Sequence, residues 1–418
     1  MIRESVLPGG VRFLTETMPQ VRSATLGIFA EVGSSEEPPE KRGISHLLEH
    51  MLFKGTTRRK ARRIAEEMDA VGGNLNAATD KELTVFYAHV MDKHLPVAVD
   101  VLSDMFLHSL FDAEELRKER DVVLEEIKMY DDSPDEVIND RFTSTLWRGA
   151  NLGDPTIGFA HTVSAIERDV LAAWHGERYA PGTVLIAAAG NLDHDELAAL
   201  LGEAFGGFSG SAKAPEPERP IFRPAVNVTH DDTGQAYVML GMPGLSMRDE
   251  RRYTLSVLDT ILGGGMSSRL FQEVREERGL AYDVSSFQQS YRSAGLFGVS
   301  AGTSPERVQE CVDVIVDEID GLVEGGVSSD EVARAREHLK GNMTLSLEST
   351  SSRMSRLARN AIVHGRQISA EEVEQRFDAV EAADVNALAR ELFASERGLC
   401  VLGPLAPDAV RLRRRNAV

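Results

Sequence analysis

At 418 residues and 45.8 kDa the chain exceeds what one compact core holds, and at about 150 residues per domain it divides into two or three. Hydrophobic residues at 42% and charged residues at 27% exclude a largely disordered or fibrous chain. With 46 basic against 66 acidic side chains the net charge is −20, so the global field repels a phosphate backbone and argues against nucleic acid. The same field favours basic peptides as partners and also serves solubility.

The opening MIRESVLPGG lacks a basic-then-apolar leader pattern, and no stretch approaches the ~20 apolar residues of a membrane span. A cytoplasmic protein without membrane contact is the expectation. Ala24 to Val32 and Leu83 to Val90 are rich in β-branched and aromatic residues and read as strands. Between them, Gly43 to Phe53 and Ala61 to Ala70 read as helices, the second stopped by Gly72 and Gly73. Asp112 with Glu115 predicts a capping box opening a long helix, Ala113 to Tyr130.

GGFSGSAKAPEPERPIFRP, Gly206 to Pro224, loses all hydrophobic period and reads as a linker. On either side the elements follow the same order. Val99, Asp100 and Val101 recur as Val312, Asp313 and Val314, and the closing strands Val184 to Gly190 and Leu399 to Gly403 end on glycines at the same offset of 213. The predicted fold is α+β: two homologous α/β halves, each a mainly antiparallel sheet covered by helices. The expected boundaries are 1–208 for the first domain, 209–221 for the linker and 222–418 for the second. Cys311 and Cys400 lie in apolar runs and read as reduced core residues.

GISHLLEHMLF carries His46, Glu49 and His50 as a HxxEH string. On a helix the two histidines stack one turn apart with Glu49 beside them, a polar stripe among Leu47, Leu48, Met51 and Leu52. Burying such a stripe is costly unless a divalent ion compensates it. Zinc would take both imidazoles and leave the carboxylate free as a base. A catalytic zinc needs a third protein ligand, and the Ala113 helix offers Glu119 and Glu126, about two turns apart on one face.

Here the sequence resembles the pitrilysin or insulinase family, zinc peptidases whose HxxEH motif is followed some seventy to eighty residues later by a glutamate ligand. Glu126 lies 76 positions after His50, within RDVVLEEIKMYDDSPD. The resemblance covers essentially the whole chain and extends to the two-domain processing peptidases. It implies one zinc per chain on His46, His50 and Glu126, with Glu119 supporting a ligand and Glu125 pointing elsewhere. It implies a metalloendopeptidase acting on extended or unfolded peptides, with Glu49 drawing a proton from water at the metal, and a homodimer.

The second half has LSVLDTILG where the His46 helix stood, so it cannot repeat the metal site. It carries Arg275 and Tyr282 across a helix end marked by Gly279. The resemblance gives both a role in gripping substrate and stabilising charge on the scissile carbonyl, for which a guanidinium and a phenol suffice. Taken alone, Arg275 pairs with Glu273 or Glu276 and Tyr282 opens a strand. The run Gly263 to Gly265 fits no phosphate-loop pattern and reads as a hinge or substrate-facing loop. Asn76 and Ala77, in GGNLNAATDKE, fall at the family's substrate-binding strand. The basic tail with Arg411, Arg413, Arg414 and Arg415 reads as a solvated end. The rival readings are a non-catalytic scaffold of the same family and a general peptide scavenger.

Overall fold

Every residue of Val184–Gly190 is buried, and so is every residue of Gly398–Gly403. A strand apolar along its whole length has to be covered on both faces. The computed structural model, which describes residues 1–214 and 216–413, places each of these strands inside a separate sheet.

In chain order the first half forms β1 (Ile2–Val6), β2 (Arg12–Thr17), β3 (Ser23–Ala30), α1 (Ile44–Leu52), α2 (Ala61–Ala70), β4 (Asn74–Thr79), β5 (Thr84–Met91), α3 (Leu95–His108), α4 (Ala113–Asp131), α5 (Pro134–Leu146) and β6 (Val184–Gly190). Its sheet has the order β1-β2-β6-β3-β5-β4, antiparallel except for the β2–β6 pair. The second half supplies β7 (Val226–His230), β8 (Ala236–Pro243), β9 (Ala281–Ser290), β10 (Gly295–Thr303) and β11 (Gly398–Gly403), in the order β7-β11-β8-β10-β9. Only β7–β11 is parallel there. Apart from β1 the two orders are the same, and β8 begins and ends 213 residues after β3. The two-sheet α/β architecture with repeated halves stands as the sequence predicted it.

The packing units depart from the expected boundaries. One comprises Met1–Lys128, Pro155–Glu216 and Leu345–Gln367; the other comprises Met129–Asp154, Pro217–Thr344 and the stretch from Ile368 onward. Two segments are therefore exchanged. In the first unit Met354, Leu357, Ala358 and Ala361 of a late helix cover Leu14, Phe29, Leu185, Ala187 and Ala189. In the second, Ile138, Phe142 and Leu146 of α5 cover Met239, Cys400 and Leu402. Glycines admit both helices: a Cβ on Gly27 would lie 2.7 Å from Met354 Sδ, and one on Gly241 would lie 2.4 Å from the Phe142 ring. The opposite sheet faces pack on helices of their own halves, with Leu26 and Ile28 against α1 and α3, and Leu399 and Val401 among residues of 252–262 and 308–325.

Local detail mostly follows the sequence. Asp112 caps α4 by accepting the N–H groups of Glu114 and Glu115 at 2.9 and 3.1 Å. The reciprocal half of the expected capping box is replaced by a Glu115–Lys118 pair at 2.8 Å. No described residue of 209–221 lies in a helix or strand. Cys311 and Cys400 are free and buried, and burial pushes both thiols up to about 11. The tail is tied down more than expected: Arg413 pairs with Asp313 and Asp317 at 2.9 Å each, while Arg414 and Arg415 lie outside the described residues. No helix among the described residues is long and apolar enough to cross a membrane.

Candidate functional site

Helix α1 owes its position to its apolar side. Ile44, Leu47, Leu48, Met51 and Leu52 are fully buried, which leaves His46, Glu49 and His50 together on the remaining stripe. Its first turn is held by a residue outside the helix. Gly43 sits at φ 90°, and the buried carboxylate of Glu37 accepts the N–H groups of Gly43 and Ser45 at 2.7 Å each. Oxygens aimed at a helix N-terminus satisfy orphan N–H donors of its first turn.

The His46 and His50 rings are tilted with centroids 4.6 Å apart. Glu126, from α4, brings Oε2 to 3.9 Å from His46 Nε2 and 3.7 Å from His50 Nε2. The three side chains are only 15 to 26% exposed. They are gathered but not bonded to one another, since both separations exceed hydrogen-bond length. Ligands about 2.1 Å from a tetrahedral zinc stand about 3.4 Å apart, so a small contraction places one ion among all three. Among the described residues this is the one group of three possible metal ligands, and its ligand atoms lie within 4.8 Å of one another. Burial, with some help from His50, lowers His46 to about 4, so its imidazole is neutral with a lone pair to give. Two imidazoles and a carboxylate thus fit zinc in both chemistry and spacing.

Around them stand partners that fix direction. Burial acts to lower His50, but its hydrogen bond to Glu119 and the charges of Glu119, Glu126 and Glu49 outweigh it and raise it. Glu119 Oε1 lies 2.9 Å from His50 Nδ1, and Glu119 Oε2 lies 2.5 Å from Lys54 Nζ. This carboxylate fixes the ring so that Nε2 faces Glu126. Glu49 is raised by burial and by Glu126, against Thr79 and His50. Thr79 at the end of β4 donates its hydroxyl to Glu49 Oε2 at 2.6 Å.

The residues singled out from sequence therefore fall into groups. His46, Glu49, His50, Glu119 and Glu126 meet in the first unit, while exposed Glu125 pairs with Lys128 at 2.6 Å. Asn76 and Ala77 lie on β4, the edge strand of that unit's sheet, with Asn76 Oδ1 accepting the Ala77 N–H. Arg275 and Tyr282 belong to the second unit, where the guanidinium stacks 4.8 Å from the Tyr282 ring and Tyr282 is 81% exposed. Arg275 also approaches Glu276 at 3.7 Å, whereas Glu273 pairs with Arg278. Gly264 and Gly265 line a cavity of about 370 Å³ with Thr260, Met266, Arg334 and His338. Sequence reasoning missed Glu37, Lys54 and Thr79. Lys54 follows α1 by two residues and was open to a helix-period reading, but the other two reach the helix from separate segments.

The model of the insulinase family, peptidase family M16, matches residues 12–159, and a model described as the peptidase M16 inactive domain matches residues 165–339. The chain is 44% identical to an uncharacterized zinc protease of Streptomyces coelicolor, covering 100% of this chain and 92% of the relative. It is 41% identical to an uncharacterized zinc protease of Bacillus subtilis, covering 97% and 98%. Among solved structures, a peptidase M16 inactive domain from Pseudomonas fluorescens superposes with TM-score 0.91 at 19% identity, over 97% of this chain and 98% of that one. A protease from Helicobacter pylori gives 0.90 at 22%, over 97% and 99%. At such identities the two structures speak for the fold alone.

Proposed function

Because the chain belongs to peptidase family M16, the pitrilysin and insulinase family, we propose that it is a zinc-dependent endopeptidase that hydrolyses extended or unfolded peptides. The observation that carries this reading is the approach of Glu126 Oε2 to His46 Nε2 and His50 Nε2 at 3.9 and 3.7 Å, with a carboxylate base between the two histidines on the helix. When bound there, zinc would supply Lewis acidity toward a peptide carbonyl and toward water.

His46, His50 and Glu126 would hold the ion, and Glu119 fixes the His50 ring through its hydrogen bond to Nδ1. Glu49 takes a proton from the attacking water as the carbon–oxygen bond forms. It then gives that proton to the amide nitrogen as the carbon–nitrogen bond breaks. In the metal-free chain burial raises Glu49. Asn76 and Ala77, on an edge strand, have the backbone groups to hold an extended peptide by main-chain hydrogen bonds. Arg275 and Tyr282 are catalytic residues in this proposal, gripping the substrate and stabilising charge on the scissile carbonyl, and a homodimer belongs to it as well. The net charge of −20 favours basic peptides.

A scaffold would have no use for a base held by Thr79 beside two imidazoles, so the catalytic reading is preferred. The test is Glu49→Gln. The variant should bind one zinc per chain, measured by metal analysis, while peptide turnover falls by about 10²- to 10⁴-fold. Undiminished turnover at full zinc occupancy removes Glu49 from the mechanism.

A further inference from the structure

A carboxylate that serves as a base has to present one oxygen to water and keep the other occupied. A glutamate side chain on a helix has three rotatable bonds with which to fail at this. In Glu49, Oε2 is occupied: Thr79 Oγ1 donates to it at 2.6 Å, the length of a charge-assisted O–H···O⁻ bond. The backbone N–H of the same Thr79 also bears on this carboxylate, so both groups that hold it come from one residue. Thr79 is β-branched, so few rotamers are open to it and the direction of its hydroxyl is narrowly set.

The strand end that carries Thr79 is itself anchored to the helix that carries Glu49. Beyond Thr79 the chain turns with Asp80 N–H on Leu83 O at 2.8 Å. Asp80 O accepts the Ser34 N–H at 3.1 Å, and Lys81 O accepts the Ser35 N–H at 2.8 Å. Two residues further along that same segment, Glu37 holds Gly43 N–H and Ser45 N–H at the start of α1. The bonds close a circuit: α1 to Glu37, Glu37 to the Ser34 turn, that turn to the β4 end, and Thr79 back to Glu49 on α1. Neither the strand end nor the helix can slide relative to the other without breaking one of these links.

We propose that Thr79 is the positioning residue of the general base, fixing the Glu49 carboxylate through the hydrogen bond of its hydroxyl to Oε2. This rests on the reading of Glu49 as the base and adds to it a residue outside the HxxEH helix. Hydrogen bonds to charged groups contribute about 10- to 100-fold in an equilibrium or rate, and that is the loss expected in kcat.

The test uses the full chain with Thr79→Val, which replaces the hydroxyl by a methyl, and Thr79→Ser, which keeps it. Thr79→Val should retain one zinc per chain and KM within about threefold while kcat falls by about 10- to 100-fold, and Thr79→Ser should restore most of the loss. Thr79→Ala replaces Thr79→Val in the comparison if the added methyl unfolds the strand end. In a Glu49→Gln background, Thr79→Val should cost little further, because a residue acting through Glu49 has nothing left to position. Melting temperatures of the same four proteins without metal read the hydrogen bond apart from activity and should show a non-additive cycle. Equal kcat losses in Thr79→Val and Thr79→Ser, additive losses with Glu49→Gln, or a kcat loss that tracks lost zinc would each overturn the proposal. If Glu49→Gln alone leaves turnover unchanged, the failure lies in the assignment of the base. The metal-free melting cycle still reports on Thr79 in that case.

Discussion

Replacing Glu37 by Gln removes a buried titrating group whose pH signature can be worked out in sign and size. Glu37 is 0% exposed, and its oxygens each accept one backbone N–H of the α1 terminus. Burial pushes its carboxyl from the ordinary 4.5 up to about 7, against the lowering effects of those two N–H groups and the Arg42 guanidinium. A folded-state value above the unfolded one means that the folded chain binds the proton more tightly. This contribution to stability is therefore complete below 4.5 and is lost as pH rises through about 7. At 1.36 kcal/mol per tenfold, that interval amounts to about 3 kcal/mol. Glu37→Gln does not titrate. From about pH 4.5 to about pH 8 the native chain should lose about 3 kcal/mol relative to the variant. Paired urea titrations of the metal-free proteins across that range measure the difference, in which the other titrating groups cancel, and amide exchange in α1 locates it. A difference that stays flat, or that turns in favour of the native chain as pH rises, refutes the reasoning. The second outcome would mean that the two N–H groups outweigh burial.

Glu119→Gln removes the anion that fixes His50, so zinc affinity should fall about 10- to 100-fold in a chelator competition; an unchanged affinity denies Glu119 that role. Zinc at about a hundred times its dissociation constant adds about 2.7 kcal/mol to stability, so chelator should lower the melting temperature of the native chain. The same chelator should leave His46→Ala/His50→Ala unmoved, and an equal drop in both proteins would place the stabilising metal elsewhere. Phe142→Ala, in α5, should cost about 3–5 kcal/mol and should speed amide exchange in β8 and β11 rather than in β3 and β6. Faster exchange in β3 and β6 instead would contradict the exchanged packing of α5.

What the sequence disclosed was what depends on local periods. The helix expected over Gly43 to Phe53 occupies Ile44–Leu52, α2 falls on Ala61–Ala70 as expected, and β6 on Val184–Gly190. The i, i+4 spacing of His46 and His50 and the seven-residue spacing of Glu119 and Glu126 are properties of single helices, so their shared faces could be read directly. The partners that fix those side chains come from other segments. Capping logic looks at the residue next to a helix, which here is Gly43, and has no means of finding a carboxylate six positions earlier. A threonine at the end of a strand carries no mark that its hydroxyl meets a glutamate on a helix. The exchanged helices were hidden for a similar reason. Met354, Leu357, Ala358 and Ala361 have the helical period of an apolar stripe, which announces that a partner is needed without naming the sheet that provides it. Strands β6 and β11, apolar throughout, likewise announce two covered faces and not what covers them.

The exchange bears on how this chain can be made and cut. The polypeptide passes from one packing unit to the other five times, after residues 128, 154, 216, 344 and 367. A nick in the segment 209–221 severs one passage and leaves four. A ribosome that has finished the first 208 residues has not yet made the helix that seals the outer face of β6, so the unit begun first is completed only after residue 361 has emerged. Fragments divided at that segment are complementary pieces rather than free-standing domains, each carrying a part the other lacks.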